Sequence, residues 1–187
     1  MIRVAPLHEL EAELARWRPS HVVSLGSPGA EAAALPGDLK TLRLTFNDIA
    51  EPRDDLVMAT QADIEALLAF AGTWDGERPL LVHCWAGVSR SPAAAYVLAC
   101  AMSSPGQEAE LAAGLRQAAP FATPNRHVVA LADRLLERQG AMSSAIAALG
   151  RGAETSMGSS FGLPLHHAAT EKARLLSGCH PGAMQGN

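Results

Sequence analysis

The sequence predicts an α/β domain with a central, mostly parallel sheet of about four to five strands flanked by helices. Short apolar runs of strand length alternate with longer segments in which apolar residues recur at helical spacing. Alanine-rich helical segments follow the last of these runs and predict a C-terminal helical group. The 187 residues are enough for one domain with a proper hydrophobic core.

The predicted strands and helices alternate through the first half of the chain. Strands are predicted at 2–4, 21–25, 39–46 and 80–82, and helices at 6–18 and 60–74. Thr60 precedes the second helix and Asp63 follows three positions later, which is an approximate capping box. Ligands of such sheets bind at the carboxyl ends of the strands, so that edge is the predicted location of a site.

The second half of the chain is predicted to be helical at 91–102, 107–118, 125–139 and 141–149. From residue 150 the composition changes to glycine and serine clusters with little apolar periodicity. We therefore expect a domain at 1–149 and a flexible or loosely packed tail at 150–187, with a helical turn near 170–176.

Composition and charge exclude several classes of protein. A net charge of −4 argues against a nucleic-acid partner, and no apolar run is long enough to span a membrane. Three widely spaced cysteines and the lack of a signal-peptide core predict a reduced, cytoplasmic protein. His166, His167, Cys179 and His180 lack a recognised zinc spacing, so we expect no metal and no other cofactor. The oligomeric state stays open.

The chemistry is predicted to centre on residues 80–91, LLVHCWAGVSRS, which are typical of a strand, a tight loop and the start of a helix. Loop N–H groups and a helix N-terminus form an anion site, and Arg90 can bind two oxygens of an oxyanion. The same positive field favours the thiolate of Cys84, which lies six residues before Arg90. A thiolate beneath a bound phosphate is positioned to attack phosphorus.

The segment HCWAGVSRS resembles the H-C-x-x-G-x-x-R-S/T loop of cysteine-dependent protein tyrosine and dual-specificity phosphatases. With PFATPN at 120–125 and FND at 46–48, it is similar to a small bacterial branch of tyrosine-phosphatase-like proteins, over about residues 2–140. The resemblance implies hydrolysis of a phosphorylated protein or a small phosphomonoester through a phosphocysteine on Cys84. It also implies phosphate binding by the loop residues Trp85, Ala86, Gly87, Val88, Ser89 and Arg90.

The resemblance implies further roles for residues beside the loop. The Ser91 hydroxyl is implied to hydrogen-bond the cysteine sulfur and help it leave, although Ser91 could also cap the following helix. His83 is expected to orient the loop and tune Cys84 through a hydrogen bond, with a purely structural role as the alternative. Asn125 either caps the last long helix or approaches the site, and capping is the preferred interpretation.

An aspartic acid on a separate upstream loop is implied as the proton donor to the leaving group. Asp48 follows the strand at 39–46, where the strand ends converge beside the anion loop, and this topology favours it. Asp54 and Asp55 are closer to Cys84 along the chain and stay open as alternatives. A turn-forming role for Asp48 is the structural alternative.

Other proteins with similar anion loops provide competing hypotheses. An arsenate reductase needs resolving cysteines, and Cys100 and Cys179 are the candidates; a sulfur transferase would not need the aspartic acid. A non-catalytic phosphate-binding module would typically have lost Cys84 or Arg90. The loop has no lysine, which disfavours a phosphoinositide or inositol phosphate substrate. Tyrosine-only and dual specificity both stay open.

Overall fold

A computed structural model describes residues 1–165 of the chain, which form a five-stranded sheet flanked by helices. The strands are β1 (Ile2–Pro6), β2 (His21–Gly26), β3 (Lys40–Thr45), β4 (Leu80–Cys84) and β5 (Phe161–Leu163). Their order is β3-β2-β4-β1-β5, with the first four parallel and β5 antiparallel to β1. The predicted mostly parallel α/β sheet is confirmed.

Six α-helices lie among the described residues, close to the predicted ranges. They are α1 (Leu10–Trp17), α2 (Gln61–Ala71), α3 (Arg90–Ala101), α4 (Glu108–Ala118), α5 (Arg126–Leu135) and α6 (Ala141–Leu149). The first predicted helix divides into a 3-10 turn at Leu7–Glu9 followed by α1. The predicted capping box is present: Thr60 accepts from the Asp63 N–H, and the Asp63 carboxylate accepts from the Thr60 N–H at 2.7 Å. None of these helices is long and apolar enough to cross a bilayer.

The two faces of the sheet pack against different parts of the chain. One face buries Val23, Val82 and Cys84 in the main core with α3. The opposite face buries Val22 and Leu81 in a smaller cluster beneath α1 and the segment 27–39. Because successive side chains of a strand point to opposite faces, His83 and Cys84 lie on opposite sides of the sheet.

The folded unit extends past the predicted domain boundary at residue 149. β5 pairs with the edge strand β1, and its Phe161 and Leu163 side chains are buried. The glycines of this segment allow close packing: a Cβ on Gly152 or Gly158 would come within 2.4 Å of Phe121. The segment from 150 to 165 therefore adds a short strand to the sheet, although most residues between 151 and 160 are exposed.

The remaining predictions for the tail lie outside the described residues. These are the helical turn near 170–176 and the four candidate metal ligands, His166, His167, Cys179 and His180. Within residues 1–165, no group of three or more His, Cys, Asp or Glu side chains is placed to hold a metal ion.

Candidate active site

The loop between β4 and α3 turns sharply against the end of β1. Gly87 has φ of 70°, and a Cβ at this position would lie 2.9 Å from the backbone nitrogen of Pro6. Only glycine combines the left-handed conformation with this close approach. The loop therefore packs closely against the carboxyl edge of the sheet.

The backbone of this loop is fixed from outside. Three of its carbonyls accept hydrogen bonds from surrounding N–H groups: Leu7 to Trp85 (3.0 Å), Gly158 to Ala86 (2.8 Å) and Thr123 to Val88 (2.8 Å). A trans peptide points its N–H opposite to its C=O, so these bonds turn the N–H groups of Ala86, Gly87 and Ser89 toward the inside of the loop. The inward N–H groups form a concave anion-binding surface.

Cys84 lies at the floor of the loop with only 3% of its surface exposed. Its Sγ atom is 3.0 Å from the Ser91 hydroxyl oxygen and accepts a hydrogen bond from the Gly87 N–H at 3.3 Å. Ser91 is the second residue of α3 and is fully buried, whereas Ser89 occupies the N-cap position. The Ser91 hydroxyl therefore meets the sulfur and does not cap the helix.

Arg90 joins the loop to the ends of two neighbouring strands. Its Nη1 donates to the carbonyls of Gly26 (2.8 Å) and Phe46 (2.9 Å) and to the Ser27 hydroxyl (3.1 Å). The side chain is 5% exposed, and its Nε has no hydrogen-bond partner among the described residues. An oxyanion is the kind of ligand that would satisfy a buried guanidinium N–H.

Asp48 lies beside the loop, three residues after the end of β3. Its Oδ1 accepts from the Ser89 hydroxyl at 2.7 Å and from the Asn125 amide at 2.8 Å. Its Oδ2 has no hydrogen bond to the described part of the chain, so that oxygen is available to hold a proton. Asp48 lines the same cavity as Cys84 and Arg90, whereas Asp54 and Asp55 are exposed on a neighbouring loop and do not line it.

Asn125 contacts Asp48 in addition to capping a helix. Its Oδ1 accepts from the N–H groups of His127 (3.0 Å) and Val128 (3.1 Å), which caps α5. Its Nδ2 donates to Asp48 and to the carbonyl of Ile49 (3.2 Å). Capping was the preferred interpretation from sequence, and the structure adds the contact to Asp48.

The cavity above the loop has a volume of about 580 Å³. Trp85 lies at its mouth with 66% of its surface exposed, so the side chain is not packed beneath the loop. Besides Cys84 and Arg90, the cavity is lined by Ser24, Arg43 and His83. The cavity therefore extends beyond the residues of the anion loop.

The predicted hydrogen bond from His83 to the cysteine loop is wrong. His83 is 3% exposed, and neither of its ring nitrogens has a partner among the described residues. The physical reason is strand alternation, which directs His83 to the opposite face of the sheet from Cys84. Burial, with a smaller contribution from the charge of Arg43, lowers the pKa of His83 to about 4. The imidazole is therefore neutral at pH 7.

Comparisons with known proteins show the class of fold. No protein-family model matches the sequence, and no curated protein matches it. The sheet and its helices have a dual-specificity-phosphatase-like fold. One solved structure with this fold is the crystal structure of DUSP15, with a TM-score of 0.53 and 20% identity over 78% of this chain and 87% of that chain.

Proposed function

We propose that this protein is a phosphomonoester hydrolase of the cysteine-dependent protein tyrosine and dual-specificity phosphatase superfamily, from the bacterial branch that its motifs resemble. The observation that carries the proposal is the convergence of Cys84, Arg90 and Asp48 on one cavity at the carboxyl edge of the sheet. The three residues supply a nucleophile, an oxyanion-binding group and a proton donor. Loop N–H groups and Arg90 provide the positive charge for phosphoryl transfer, so the mechanism needs no metal ion.

In the first step the Cys84 thiolate attacks phosphorus. The S–P bond forms as the P–O bond to the leaving group breaks, and the charge on the phosphoryl oxygens is stabilised by the loop N–H groups and Arg90. Asp48 gives its Oδ2 proton to the leaving oxygen, which departs as a neutral alcohol or phenol. The hydrogen bonds from Ser89 and Asn125 to Oδ1 support this role because they hold the carboxyl group and leave Oδ2 unoccupied.

In the second step water hydrolyses the phosphocysteine. Asp48, now ionised, accepts a proton from the attacking water as the new P–O bond forms and the S–P bond breaks. The sulfur leaves as a thiolate, and a hydrogen bond from the Ser91 hydroxyl at 3.0 Å stabilises it. Inorganic phosphate is released and the thiolate is regenerated.

The competing redox hypothesis has weaker support. Cys100 is fully buried in α3, and burial raises the pKa of its thiol to about 12, which is the opposite of a reactive resolving cysteine. Cys179, the other candidate, lies outside the described residues. The phosphatase proposal includes a cytoplasmic location, because a reducing compartment keeps Cys84 as a thiol.

Hydrolysis of 4-nitrophenyl phosphate by the purified full chain tests the proposed function, measured once with EDTA and, because EDTA binds vanadate, separately without EDTA for inhibition by vanadate. We expect activity that vanadate inhibits and that Cys84→Ser abolishes. Cys100→Ala is the matched control, because it removes a buried thiol outside the cavity and should keep the activity. Activity that survives Cys84→Ser, or that EDTA removes, would overturn the mechanism.

A further inference from the structure

We propose that the cavity contains a second subsite, centred on Arg43, that binds an anionic group carried by the leaving group of the substrate. This inference rests on the proposed function and adds a substrate class to it: phosphomonoesters with a carboxylate or a second phosphate. The cavity of about 580 Å³ lies within the range of about 300–1,000 Å³ that encloses whole small molecules. It therefore has room for the leaving group beyond the phosphate.

The subsite is built from a polar row across three strands. Arg43 of β3 lies opposite Ser24 of β2, and Ser24 lies opposite His83 of β4. All three line the cavity. These side chains lie on the same face of the sheet as Val22 and Leu81, which are buried and apolar. The change from apolar to polar side chains therefore coincides with the cavity.

His83 contributes an unsatisfied polar group to this wall. Both of its ring nitrogens are buried without a hydrogen-bond partner among the described residues, although buried polar groups are normally paired. Because it is neutral, the imidazole keeps one donor and one acceptor. It does not serve Cys84, which lies on the other face of the sheet. The imidazole makes this side of the cavity polar, but its nitrogens have almost no accessible surface, so the group that meets a ligand is Arg43.

Arg43 provides the charge of the subsite. Its Nη2 donates to the carbonyl of Ala33 at 2.9 Å, and this is its one hydrogen bond to the described residues. That bond holds the segment 30–33, which also lines the cavity, beside the guanidinium. The remaining N–H groups can bind a carboxylate or phosphate. Glu31 is exposed and also lines the cavity, but no salt bridge joins it to Arg43 within residues 1–165.

A matched pair of substrates tests the subsite. We would measure kcat/KM for 3-carboxyphenyl phosphate and for its neutral analogue 3-carbamoylphenyl phosphate, using the full chain at fixed pH and ionic strength. Arg43→Gln should lower the ratio of the two values by roughly tenfold or more, the size of one lost charge-assisted hydrogen bond. Arg43→Lys should retain part of the preference, because it keeps the charge and loses the planar fork.

Lys40→Gln is the control. It removes one positive charge from the same strand, and Lys40 does not line the cavity. We expect the ratio to stay at its wild-type value. If Lys40→Gln lowers the ratio as much as Arg43→Gln does, the preference comes from the overall charge of the protein, and the subsite is overturned.

The inference and the proposed function fail in different ways. If wild type hydrolyses both esters and Arg43→Gln leaves the ratio unchanged, the subsite is overturned and the phosphatase activity stands. If wild type hydrolyses neither of these esters nor 4-nitrophenyl phosphate, the proposed function fails and the subsite fails with it.

Discussion

The side-chain amide of Asn125 donates a 2.8 Å hydrogen bond to Oδ1 of Asp48, across 77 positions of the sequence. The same side chain caps α5, so the position of the helix is coupled to the position of the carboxyl group. Asp48 is exposed, and an exposed side chain on a loop would otherwise sample several orientations. The bond from Asn125 therefore gives the proposed acid a defined geometry.

Asn125→Ser separates the two roles of this residue. Serine is a good N-cap, so we expect the melting temperature to change little, but its hydroxyl is too short to replace the amide donor to Asp48. Asp48 then keeps the hydrogen bond from Ser89 and loses the one from Asn125. We expect kcat/KM to fall severalfold for phenyl phosphate, whose leaving group needs a proton, and less for 2,4-dinitrophenyl phosphate. Equal losses for the two substrates would contradict a positioning role.

Asp48→Asn should have a larger effect with the same dependence on the leaving group. An amide cannot donate a proton to the departing oxygen, and general acid catalysis contributes roughly 10²–10⁴-fold. We expect a loss of that order in kcat/KM, which reports the first step, for phenyl phosphate and a small loss in kcat/KM for 2,4-dinitrophenyl phosphate. Asp54→Asn is the matched control, because Asp54 is exposed and does not line the cavity. A large loss with Asp54→Asn would transfer the acid role to that residue.

Local patterns were enough to predict the sheet, the helices and the cysteine loop, because each depends on residues that are neighbours in sequence. The second contact of Asn125 could not be predicted, because it requires two distant loops to meet. β5 was missed because a strand of three residues is too short to show a periodic pattern. The need for glycine at 152 and 158 comes from close contact with Phe121, which is distant in the sequence. The orientation of His83 was predictable, since consecutive strand residues face opposite ways.

Ser91→Ala should slow the second chemical step selectively. The Ser91 hydroxyl is 3.0 Å from Sγ, and its loss removes a hydrogen bond to the departing thiolate. With 4-nitrophenyl phosphate we expect a burst of nitrophenol equal to the enzyme concentration, followed by steady turnover about tenfold slower than in wild type. Mass spectrometry of the quenched reaction should detect phosphate on Cys84. Slow turnover without a burst would place the effect of Ser91 on the first step.

The segment after α6 supports the anion loop, and a pair of glycine substitutions tests this contact. Gly158 is buried and donates to the Ala86 carbonyl, and a Cβ here would lie 2.4 Å from a ring carbon of Phe121. We expect Gly158→Ala to lower the free energy of unfolding by about 1–3 kcal/mol. Gly114→Ala, inside α4 with no atom within 4 Å of the added Cβ, should instead raise it by roughly 0.5–1 kcal/mol. Denaturant unfolding of both variants gives the comparison.

His83 should make the folded state less stable in acid. Its pKa is lowered to about 4 in the folded protein from 6.5, so between these values the unfolded chain binds a proton that the folded chain does not. Stability is therefore lost as the pH falls from 6.5 to 4, by about 3 kcal/mol when the change is complete. His83→Phe removes the titrating group and should reduce this loss, as measured by urea unfolding at pH 7 and pH 4. An unchanged pH dependence in the variant would show that the pKa of His83 is not lowered in the folded state.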